Sequence, residues 1–160
     1  MSKLIINIKS PTMATTKTTI DRYATHFVTI NNFFIAFSHR EAHTLLHKMM
    51  RAAFAREDIL NKRDVLDLVF LKDELSNLIT AAGALANHST HRGTLEKFFR
   101  RWPAAEWNET LDMLFYAAIY DGFFTCPPNH CDIYNYCRGL HTLVRVCAAV
   151  HEANKPAQDM

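Results

Sequence analysis

SHREAHTLLHKMMRAAFAR, residues 38–56, decides the fold class, because it carries both a start signal and a period. Ser38 and Glu41 stand three apart, the spacing of a capping box: hydroxyl and carboxylate each accept from a free N–H at a helix start. From there Ala42, Leu45, Leu46, Met49, Ala52 and Ala53 fall on one face of a helix, and Arg40, Glu41, Thr44, Lys48 and Arg51 on the other. A helix over 39–56 with such a stripe needs other apolar faces to bury against.

The flanking sequence offers them. Upstream, Ile20, Tyr23, Phe27, Ile30, Phe34 and Phe37 recur at steps of three and four, the helical template. HFVTI and FFIAF around Asn31-Asn32 also suit a hairpin; six consecutive matches favour the helix. Downstream, Asn61 or Lys62 opens a helix to about Ala86. Its first half, VLDLVFL (65–71), is apolar almost all round, which places it at the centre of the fold. NHSTHRG (87–93) reads as a loop and TLEKFFRR (94–101) as a short basic helix. Pro103 suits a first helical position; the helix through Tyr120 buries Trp107, Leu111, Leu114, Phe115 and Ala118, and Gly122 stops it. After a CPP turn, Asn129 caps a last helix to about Ala153, whose apolar face carries Ile133, Cys137, Leu140, Val144, Cys147 and His151.

The expected fold is all-α, a bundle of five to six helices in one domain over 20–153. Residues 1–19 form an extended or flexible segment with a short edge strand over 1–8, and 154–160 a frayed tail; Met13 is an alternative start. With 160 residues, 49% of them hydrophobic and only four glycines, the chain can bury a core without staples. A net charge of +2 speaks against a chain-wide pull toward nucleic acid or anionic lipid. No apolar run approaches the roughly 20 residues of a membrane span. MSKLIINIKSPT is too short in its apolar part for a signal peptide. The expected location is therefore the cytoplasm, with reduced cysteines and no membrane partner.

Chemistry-bearing residues gather in several places. Cys126, Cys137 and Cys147 are each followed four residues later by a histidine, and i, i+4 pairs are a common way to present zinc ligands. The leading reading is that Cys137 packs in the core as a small hydrophobe and no cofactor is bound; the alternative is a single zinc site drawing on Cys126, His130 or Cys131, Cys137 and His141. His39, His43 and His47 form a stripe at four-residue spacing, suited to a metal, to a pH-sensitive edge, or to the border between an apolar and a charged face. HRGTLEKFFRRWPAAEW (91–107) interleaves Arg92, Lys97, Arg100 and Arg101 with Phe98, Phe99, Trp102 and Trp107. That combination grips single-stranded nucleic acid by phosphate contacts and base stacking; its plain alternative is a solvated face whose aromatics point inward. On the helix 103–120, Glu106, Glu109, Asp112, Met113, Tyr116 and Tyr120 lie opposite the core, a pattern suited to a protein partner or to packing on a neighbouring helix.

Arg145-x5-His151 resembles the Arg-x4-6-His motif near the final helix of HEPN-type helical ribonucleases. The resemblance is confined to these two residues, and Val146 stands where the family carries a polar residue. It implies a dimeric ribonuclease in which Arg145 and His151 act on the scissile phosphate. No P-loop, dinucleotide fingerprint or nucleophile elbow accompanies it. The leading expectation is a small non-catalytic regulator or inhibitor that binds protein and forms a homodimer, of the kind phages and plasmids encode to redirect host machinery. Nucleic-acid binding through 91–107 and the ribonuclease are the alternatives.

Overall fold

The computed structural model describes the backbone of residues 13–54, 60–86, 92–120 and 130–154. These form six helices in chain order: α1 (Met13–Ala36), α2 (His39–Phe54), α3 (Lys62–Ala86), α4 (Arg92–Arg101), α5 (Ala104–Ile119) and α6 (His130–Ala153). No strand occurs among the described residues. The edge strand over 1–8, the Gly122 stop, the CPP turn, the Asn129 cap and the final six residues lie outside them.

The Ser38 box closes as its spacing requires: Ser38 N–H donates to Glu41 Oε2 at 2.8 Å, and Glu41 N–H donates to Ser38 Oγ at 3.2 Å. Hydrogen bonding of the carboxylate by the Ser38 hydroxyl, and then by the Ser38 N–H, holds the Glu41 carboxyl below its ordinary value. Asn61 and Asp64 repeat the device at the start of α3, each backbone N–H donating to the other's side chain at 3.1 and 2.9 Å. Asp64 also accepts from Lys48 of α2, which ties the start of α3 to the second half of α2.

Residues 20–36 are helical, and α1 starts earlier than the sequence indicates: 13–19, expected in the tail, are its first turns. A helix already nucleated downstream extends through threonines at little cost per residue. Pro103 is the residue before α5, with extended backbone, so the helix opens one position later than expected.

Helix α3 packs against α1, α2, α4 and α5, helix α2 packs on α5, and α6 closes the bundle against α1, α2 and α4. Ile30, Phe33, Leu46, Met49, Leu68, Leu71, Leu75, Leu78, Leu111, Leu140 and Val144 are wholly buried. Each such side chain contributes about 1.5–3 kcal/mol of burial, which makes this core the main source of stability. One expectation is corrected here. VLDLVFL is not buried all round: Leu66, Val69 and Phe70 are 63%, 40% and 51% exposed. Helix α3 is central because its other side meets four helices; on the remaining arc Phe70 keeps one ring contact, with Phe37 just past the end of α1 at 5.2 Å. Among the described residues, no helix is long and apolar enough to cross a membrane.

Candidate functional site

Two surfaces and one polar cluster emerge from this packing. The first surface lies on α3 and α5. Asn108 Nδ2 donates to Thr80 Oγ1 at 3.3 Å, and Lys72 Nζ meets Asp112 Oδ1 at 2.9 Å. Moving up α5 therefore means moving down α3, so the two helices run antiparallel. Continued in that antiparallel sense, the chain direction carries Tyr116 and Tyr120 toward the part of α3 that holds Val69 and Leu66. Met113, Tyr116 and Tyr120 are 47%, 45% and 59% exposed. Tyr116 and Tyr120 stack with centroids 6.0 Å apart. Glu106 and Glu109 are exposed beside them, as the sequence indicates. Asp112 is instead half-buried and engaged with Lys72, whose amine it holds above the ordinary value by hydrogen bonding. The sequence reading found the α5 half of this strip. It missed Leu66, Val69 and Phe70, although an all-round apolar helix in a bundle this small must leave one side uncovered.

The second surface is a groove of about 270 Å3 between α4, the start of α5 and α6. Lys97 and Arg101 lie one turn apart on α4, and Arg138 faces them from α6, with Asn135, Gly139 and Thr142 on the same α6 face. Phe98, Trp102 and Trp107 line it as well. The rings form one cluster: Phe98 stacks on Trp107 at 4.4 Å, Trp107 on Tyr136 at 4.8 Å, and Trp102 stands edge-on to Trp107 at 5.0 Å. Tyr136 Oη donates to the Trp107 carbonyl at 2.7 Å, and burial pushes its phenol far up. Gly139 has a steric duty here, since a Cβ at that position would overlap Trp107 Cη2. Of the four basic residues expected on this segment, Lys97 and Arg101 line the groove. Arg100 bonds Glu96 at 2.9 Å on the helix's own surface. Arg92 belongs to α4 by its backbone alone. Arg138 was missed because the cation comes from a helix about 40 residues away.

The cluster joins α2 to α6. His43 Nδ1 meets His141 Nδ1, with the two rings stacked 2° from parallel, and His43 Nε2 lies 2.9 Å from His39 Nε2. Both His43 and His141 are held below the ordinary imidazole value. Burial is the main cause; the charges of His141, His39 and Arg145 add to it at His43, and that of His47 at His141. His43 turns one ring nitrogen to each neighbour, so the three rings form a chain and do not converge on a point. Among the described residues, no group of three or more His, Cys, Asp or Glu side chains is arranged to hold a metal.

Of the zinc ligands expected from sequence, Cys137 is a core residue, 1% exposed, whose thiol burial pushes up to about 11. Cys147 is likewise buried, with its thiol pushed up to about 12. His141 faces His43. Cys126 and the side chains of His130 and Cys131 lie outside the described residues. Arg145 and His151, the ribonuclease pair, engage different neighbours: Arg145 is exposed and its charge acts on His43, while His151 Nδ1 donates to Asn31 Oδ1 at 2.7 Å and stacks on Phe34 of α1. No family model, no curated protein and no solved structure matches the chain.

Proposed function

We propose that this chain is a small non-catalytic regulator that binds another protein through the strip formed by Leu66, Val69 and Phe70 of α3 and Met113, Tyr116 and Tyr120 of α5. The observation that supports this reading is the exposure of all six side chains on two adjacent helices. Exposed apolar residues scattered singly need no explanation; a contiguous strip is costly in water unless something covers it. Tyr and Met are also enriched where proteins meet. Glu106, Glu109 and Asp73 are exposed on the same two helices, so the partner that fits best presents apolar anchors ringed by basic residues.

The proposed setting is a reducing cytoplasm, and the role is that of an accessory factor of a phage or mobile element acting on a host protein. The homodimer belongs to the same proposal, because a second copy competes for any apolar strip.

The test is a variant carrying Leu66→Lys and Tyr116→Lys. Both residues are exposed, so stability changes by less than about 0.5 kcal/mol. Affinity purification from the native host is expected to recover a partner with the wild-type chain and to lose it with the variant. Recovery of the same partner by both would contradict the proposal. Sedimentation of the purified wild-type chain then separates a partner from a second copy.

A further inference from the structure

The groove between α4, α5 and α6 shares no residue with the α3/α5 strip, and its chemistry is different. Three cations converge on it from two helices: Lys97 and Arg101 from α4, Arg138 from α6. Among the described residues, no carboxylate lines it. All three cations are exposed, and none of the described ion pairs involves them. Like charges brought together without a counter-charge repel one another, and an anion relieves that repulsion. Beside them stands an aromatic wall, with Trp102 half-buried, set at 61° to Trp107, and carrying the Arg101 guanidinium over one side of its ring at 5.4 Å. Asn135, also exposed, adds an amide that can both donate and accept.

We propose that this groove binds a nucleotide unit, with the phosphate held by Lys97, Arg101 and Arg138 and the base laid against Trp102. A bare phosphate would use the cations and leave the aromatic wall idle. An acidic peptide would use the cations and gain nothing from a flat ring. A nucleotide uses both, and the volume of about 270 Å3 is at the small end of ligand clefts, room for one unit. Two sources present this chemistry, a free mononucleotide and one residue of a single strand, and they are separated by experiment.

The sequence provides the probe. The chain has two tryptophans, Trp102 and Trp107, and both line the groove. Intrinsic tryptophan fluorescence therefore reports on this place alone. Adenosine 5′-monophosphate, a short single-stranded oligothymidylate, inorganic phosphate and polyglutamate are titrated into the full chain. Saturable quenching by the mononucleotide or the oligonucleotide, with phosphate and polyglutamate much weaker, is the expected result. Binding of the mononucleotide as tightly as the oligonucleotide identifies a free nucleotide as the source. Tighter oligonucleotide binding with a steep salt dependence identifies a strand.

Arg138→Glu is expected to abolish quenching with the helical circular dichroism intact. Trp102→Ala, read by anisotropy of a labelled oligonucleotide or nucleotide, weakens binding about tenfold. The conservative Arg138→Lys retains most of it. The proposal is overturned if neither nucleotide ligand changes the fluorescence, if phosphate or polyglutamate acts equally well, or if Arg138→Glu binds as the wild type does. Any of these outcomes leaves the protein-binding strip untouched.

Discussion

His43 is the residue with the most telling surroundings. It sits between His39 on its own helix and His141 on α6, and Arg145 adds positive charge nearby. A proton on His43 or His141 is thus disfavoured in the folded chain, and both rings titrate below 6.5. The unfolded chain takes up those protons at higher pH than the native one, so stability rises with pH through this window. It is full above about pH 6.5 and falls as the pH drops from there through the lowered native values. Thermal denaturation from pH 7.5 down to pH 5 is expected to show this loss, and His141→Gln to flatten it. An unchanged slope in the variant would mean that the rings do not face one another in solution. The sequence showed the stripe of His39, His43 and His47 but not its partner. The i, i+4 rule reaches along one helix, and nothing in 38–56 announces that α6 will lie against it.

At the scale of the element, the boundaries most readable in advance were those with side-chain chemistry behind them. Ser38 and Glu41 satisfy free N–H groups in a way the residue types dictate, and the α2 start falls where their spacing places it. The α1 start was misread because a threonine-rich stretch has no such mark. Replacing Ser38 or Asn61 with alanine removes one cap each and is expected to cost about 1 kcal/mol. The two losses are additive within about 0.5 kcal/mol if the caps act independently. Urea denaturation of the two single variants and the double variant measures both statements. A loss near zero for Asn61→Ala would show that the Lys48–Asp64 pair, not the cap, fixes the start of α3.

The architecture of the whole molecule was legible because apolar periodicity repeats along most of the chain, and six helices with a shared core follow from it. The two surfaces were half legible. Each is assembled from residues far apart in sequence: Leu66 with Tyr116, Lys97 with Arg138. Their α5 and α4 halves stood out as aromatic and charged patterns, whereas the α3 half looked like core and the α6 half like an ordinary polar face. Burial alone distinguishes these, and burial is set by neighbours that a single helix does not reveal. The reading of function rests on the α3/α5 strip being covered in use. The most direct measurement is photo-crosslinking in the native host, with a photoreactive residue placed at Tyr116, at Leu66, or at the control position Ile35, which is 80% exposed on α1. The account predicts one discrete protein adduct at Tyr116 and Leu66 and none at Ile35. Adducts of equal yield at all three positions, or none at Tyr116 and Leu66, would contradict it.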